Sequence, residues 1–263
     1  MVNARGRNLV VAVVAILLAG LILVGGYGVW YLFLRPAGPA AVGSTALPVP
    51  SAAVASAPAT AASATAASAT AASTSAGQGA GIDGTWKVDP AIQGSDGSTS
   101  FVGYRVQEEL AGFGANTAVG RTSAVTGSMT IAGTHVTDAT FEADLTGLTS
   151  DDQNRDRQLG NQGIQTNQFP TATFKLTSPI DLGSVPADGR EISVTAKGQL
   201  TLHGVTKDVE IPLKAKLSGD VIVVGGSLPI TFADYNIEKP NSFKVLSIDD
   251  AGTMELQLFF TKS

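Results

Sequence analysis

The chain has 263 residues, of which 15% are charged, 44% apolar and 6% aromatic, with a net charge of −5, two histidines and no cysteine. The lack of thiols excludes disulfides, iron–sulfur clusters and thiol catalysis. The acidic balance excludes nucleic acid, which calls for a basic face, and His135 and His203 alone leave little for a metal site, so no cofactor is expected.

The charges divide the chain into three parts. Arg5, Arg7 and Arg35 are the only basic residues before Asp83, and all 22 acidic residues lie at or after it. The 14 basic residues that follow, against those 22, leave a net of −8 from Ile82 to Ser263. Leu9–Leu34 is an uncharged apolar run. At about 1.5 Å per residue, roughly 20 residues of helix span a bilayer. Tyr27, Trp30 and Tyr31 stand where an interfacial aromatic belt belongs. Arg5 and Arg7 flank the near end. Residues 1–35 therefore read as a single-pass anchor to the cell membrane, with the N-terminus cytoplasmic and the rest extracytoplasmic. The rival reading is a cleaved signal peptide, whose apolar core usually runs about 7–15 residues. The small residues of Ala37–Ala41 would serve its cleavage.

Residues 36–81 are poor in charge and in large side chains, and ATAAS repeats three times over residues 59–73. Such a segment buries too little apolar area to offset chain entropy. It reads as a disordered linker with a root-mean-square reach of about 35–40 Å.

Residues 82–263 alternate with period two, the signature of β-strands. Ile192, Val194, Ala196, Gly198, Leu200 and Leu202 share one face, and Val209, Ile211, Leu213, Ala215 and Leu217 resume the pattern. His203–Thr206 joins these two runs as a hairpin. Further strands are predicted at Trp86–Asp89, Thr99–Leu110, Thr122–Ile131, Val136–Leu145, Thr171–Ile180, Val221–Phe232 and Met254–Thr261. Gly225–Gly226 reads as a turn or bulge. Gly112–Gly120 and Pro240–Ile248 read as loops. Ser150–Gly160 (SDDQNRDRQLG) reads as a short helix with an acidic start and a Gly stop, placed to cover one mouth of a barrel. The fold class is all-β. Long antiparallel strands with one apolar face suit a closed barrel, which removes exposed edges.

Three motifs carry a resemblance. Gly198–Val209 reads GQLTLHGVTKDV, Arg155–Asp156 is followed by Leu159, Phe169–Pro170 and Phe174, and the domain opens GTWKVD at Gly84–Asp89. In this order they resemble the YceI family of polyisoprenoid-binding, lipocalin-like bacterial proteins over residues 82–263. The sequence lacks the family's His-containing strand at Gly97–Val106 and its Arg-containing turn at Thr231–Glu238.

The resemblance implies an extended eight-stranded antiparallel barrel around an apolar cavity for a polyisoprenoid or similar lipid. Phe101, Phe141, Phe174, Leu200, Leu202, Leu213, Phe232 and Leu256 are then the ligand-lining candidates. Ala139, Ala143, Ala196, Gly198 and Ala215 are the small inward residues that leave room. The plain alternative is a filled core, with the barrel a cell-envelope interaction module using its outer loops. His203 and Gly204 read as structural parts of the turn. Arg155, Asp156 and Arg157 could grip a polar headgroup, or pair with Asp151 and Asp152 on a solvated helix face. No G-x-S-x-G or H-E-x-x-H motif is present, so an enzyme is not expected.

Overall fold

The computed structural model describes Gly26, residues 38–43, residues 46–51 and residues 81–263. Leu9–Leu34 (Gly26 apart) and the ATAAS repeats lie outside the described residues. Among the described residues, no helix is long and apolar enough to cross a membrane.

Among the described residues, twelve strands form one sheet. In chain order they are β1 (Gly84–Val88), β2 (Phe101–Leu110), β3 (Gly114–Thr122), β4 (Val125–Ala132), β5 (His135–Asp144), β6 (Thr149–Ser150), β7 (Thr171–Leu176), β8 (Ile180–Asp181), β9 (Glu191–Leu202), β10 (Val205–Ser218), β11 (Val221–Thr231) and β12 (Val245–Lys262). Eight of them close antiparallel in the order β1-β4-β5-β7-β9-β10-β11-β12, and β12 returns to β1 through Trp86 opposite Lys262. This is the expected eight-stranded barrel. Closure is possible because β12 is long. Its C-terminal end pairs β1, while its N-terminal half pairs β2, which carries β3 and β6 as an extension.

Four local expectations are corrected. The stretch Gly112–Gly120 is mostly strand: β3 pairs residue for residue with β2 from Gly114 to Thr122. Pro240–Ile248 is loop only at its start, because β12 begins at Val245. Gly225 and Gly226 form neither turn nor bulge; both pair in register with β10 and β12. The β9–β10 turn is two residues rather than four. His203 (φ 51°) and Gly204 (φ 72°) both take positive φ, as a twist-matched two-residue hairpin turn requires.

The turn is held by its surroundings. His203 Nδ1 donates to the Tyr235 carbonyl at 2.9 Å, and the Phe169 ring packs 4.2 Å from the imidazole. Phe169 also occupies the space a Cβ on Gly204 would need, at 2.8 Å. The motif residues His203, Gly204 and Phe169 thus serve the fold.

Residues 38–43 and 46–51, read from sequence as unstructured linker, pack on the outside of the barrel. Glu255 on β12 points outward and is fully buried. It accepts from Arg105 Nε at 3.0 Å, Arg121 Nη2 at 3.4 Å and the Val42 amide at 3.2 Å. The two guanidiniums also donate to the carbonyls of Pro39 (2.7 Å) and Ala40 (3.0 Å). Farther along, Lys216 Nζ donates to the Leu47 carbonyl at 2.8 Å, and Leu47 packs over Val223 and Phe259. A bridge between Pro50 and Gly94 ends this strap. Gly225 makes room for it, since a Cβ there would meet Leu47 Cδ2 at 2.7 Å. Burying Leu47 alone contributes about 2 kcal/mol. The linker forms no core of its own, but it borrows one from the barrel's outer face.

Candidate functional site

The period-two faces meet around a cavity of about 1150 Å³. Ligand pockets usually span roughly 300–1,000 Å³, so this interior is not the filled core of the alternative reading. Its walls come from the inward residues of β2, β4, β5, β7, β9, β10, β11 and β12. The alternating runs supply Ile192, Val194, Ala196, Leu200 and Leu202 from β9, and Ile211, Leu213, Ala215 and Leu217 from β10.

Seven of the eight ligand-lining candidates line this space: Phe141, Phe174, Leu200, Leu202, Leu213, Phe232 and Leu256. Phe101 does not. On β2 the inward positions are Val102, Tyr104 and Val106, which turns Phe101 outward. Its ring is buried beneath the Arg121 guanidinium, 3.9 Å from the ring centroid. Phe101 and Val102 are adjacent and both apolar, so composition alone did not choose between their faces. Sequence reasoning also passed over Tyr104, Met254, Leu258 and Phe260 as wall residues. Period two could have found the last three, which share a face with Leu256. Phe260 meets Phe141 edge-on at 5.6 Å between centroids.

Part of the lumen wall is built from aromatic rings packed closely against glycines. Cβ atoms built on three glycines would overlap neighbouring rings: Gly120 with Tyr104 (2.4 Å), Gly127 with Phe141 (2.5 Å) and Gly198 with Phe174 (2.4 Å). Each ring fills the space its missing side chain leaves, instead of projecting inward. Gly198 therefore does not enlarge the cavity as expected; Phe174 takes its place. Ala139, Ala143, Ala196 and Ala215 do line the lumen.

One mouth carries the polar groups. A short helix, α1 (Gln153–Leu159), is capped by Asp152, which accepts from the Asn154 amide at 2.7 Å and the Arg155 amide at 3.4 Å. Burial pushes the Asp152 carboxyl up. These two hydrogen bonds and the charges of Arg155 and Lys244 outweigh it and hold it below the ordinary aspartate range. Arg155 does not sit on a solvated face. It donates to Glu108 of β2 at 2.5 Å and to Asp151 at 2.7 Å, while Asn116 donates to Glu108 at 2.7 Å. Asp156 accepts from the Ser150 amide and hydroxyl, and Arg157 donates to Asn154. The basic groups suggested for a headgroup are thus committed to neighbours. Burial pushes the Tyr104 phenol up, so it stays neutral at physiological pH, and its buried hydroxyl has no hydrogen-bond partner among the described residues. Among the described residues, no group of three or more acidic or imidazole side chains could hold a metal.

The comparisons agree with this architecture. A YceI-like domain model matches residues 70–260. The chain belongs to the YceI-like family. This YceI-like chain is similar to the solved structure of a polyisoprenoid binding domain from Saccharophagus degradans, described as implicated in plant cell wall breakdown. Identity is 22% and the TM-score 0.52, over 68% of this chain and 98% of that one. Burkholderia cenocepacia BcnA is 18% identical with a TM-score of 0.47, covering 61% of this chain and 95% of its own. A Campylobacter jejuni YceI protein is 13% identical with a TM-score of 0.46, covering 55% and 84%. At such identities the likeness concerns the fold. No curated protein matches the chain.

Proposed function

We propose that this YceI-like protein is a membrane-anchored, extracytoplasmic lipid-binding protein of the bacterial cell envelope, holding an isoprenoid or similar apolar chain inside its barrel and performing no chemistry on it. The observation that carries this reading is the apolar cavity of about 1150 Å³. Moving a chain from water into such a space gains about 0.8 kcal/mol per buried CH₂. A prenyl tail therefore binds tightly without a specific polar anchor. The polyisoprenoid-binding description of the Saccharophagus degradans relative supports the ligand class. The uncharged Leu9–Leu34 run supports the anchor.

Native mass spectrometry of the purified full chain, followed by lipid extraction, tests the proposal. The expected result is a bound apolar species that leaves with organic solvent. Protein that neither carries nor takes up a prenyl lipid would overturn it.

A further inference from the structure

The cavity mouth has an exposed apolar rim. Phe243 lines the mouth and is 91% exposed, and Leu246 is 64% exposed. Phe113, at the β2–β3 turn, lines the same opening. Two exposed large apolar side chains three residues apart are costly in water and mark a contact surface. Leu246 is aimed outward by an irregularity: β12 pairs β2 at Val245 and again at Ser247, with a register shift between them. Such bulges re-aim side chains next to functional sites. Lys244 stands between them, its ammonium 5.9 Å from the Phe243 ring centroid. Aromatic and aliphatic tips with a neighbouring cation are what an anionic lipid interface takes up.

The path of the chain points the same way. The strap first meets the barrel at Gly38, beside Val119 on β3. Val119 pairs Arg105, midway along the β2–β3 extension. Only four chain steps separate Gly38 from Leu34, the end of the apolar run. At full extension they reach about 14 Å. With Leu9–Leu34 in a bilayer, the barrel is held against the membrane, not 35–40 Å away.

We infer that the Phe243–Leu246 rim docks on a lipid bilayer surface, so that the cavity opens onto the membrane from which its ligand comes. The loading role rests on the lipid-binding reading; the bilayer contact does not, and separate measurements read the two. The chain has no cysteine, so one introduced thiol labels a single site. Leu246→Cys and Val185→Cys would each carry an environment-sensitive fluorophore. Val185 is 52% exposed and lies between β8 and β9, at the end of the barrel away from the rim.

The full chain is reconstituted in phosphatidylcholine–phosphatidylglycerol vesicles containing nitroxide-labelled lipid. The label at 246 should be quenched about threefold or more above the label at 185. Adding Phe243→Asp should bring that quenching down toward the level at 185, since an inserted aromatic is lost and a charge gained. Equal quenching at both sites would overturn the inference. So would self-quenching at 246 that grows with protein density, which would assign the rim to a second copy. Extracting lipid from the same preparation reads the cavity separately. An empty barrel with a quenched 246 label would sink lipid binding and leave docking standing.

Discussion

Gly120 and Tyr104 sit opposite one another on β3 and β2, and the tyrosine ring covers the glycine. The three nearest atoms to a Cβ at Gly120 all belong to the Tyr104 side chain, so a substitution displaces that side chain and not the backbone. Gly120→Ala should therefore push Tyr104 toward the lumen. We expect a loss of about 1–3 kcal/mol in denaturant unfolding, with weaker uptake of a prenyl lipid. Unchanged uptake would show that the ring has room elsewhere. On the outer face, Glu255 has a different task. Burial pushes the Arg121 guanidinium down and the Glu255 carboxylate opposes it. Removing the carboxylate leaves two partly buried guanidiniums uncompensated. Glu255→Gln should cost about 3 kcal/mol and expose residues 38–43 to limited proteolysis, with the cavity intact. Neither role was legible in sequence. A glycine and a glutamate in alternating strands look like ordinary members of a face until the partner across the sheet, or outside it, is known.

The short helix α1 shows the opposite case. Its acidic start and Gly stop were readable, because capping is a local matter of backbone donors and a nearby oxygen. Asp152→Ala should cost about 1 kcal/mol and loosen the lid over the mouth, read as faster amide exchange in residues 153–159. The pH dependence has a definite sign. The folded carboxyl is held below its ordinary value, so its contribution is full above about pH 4 and is lost as pH falls through the lowered value. A cap contribution that weakens on raising the pH would contradict this. By contrast, β3 was read as a loop because its sequence, GANTAVGRT, has no clean apolar alternation. Its inward side faces Glu108 and Tyr104, and its outward side is covered by the strap. Strand signals rest on one wet and one dry face, and the second half of β3 is buried on both.

For the molecule as a whole, the strap changes what the linker can be. Residues 38–43 and 46–51 are bound to the barrel, so 30 steps of chain join Ser51 to Gly81. Deleting Ala59–Ser73 leaves 15 steps of chain, up to about 50 Å, enough to return to β1. The deletion should change neither unfolding midpoint nor lipid affinity; a drop in either would show that these repeats also pack on the barrel. The three-part charge division, the all-β class, the eight-stranded closure and most of the cavity-lining residues followed from composition and period-two alternation with the family-like motifs. These features are local or periodic: a side chain's parity along a strand names its face whatever lies across it. The open lumen, the outward burial of Phe101 and Glu255, the two-residue turn, β3 and the strap were decided only by the closed barrel. Strand parity says which side a residue faces, but the volume inside a ring of strands, and what another segment lays over its outside, depend on circumference and on contacts between residues as far apart as Val42 and Glu255.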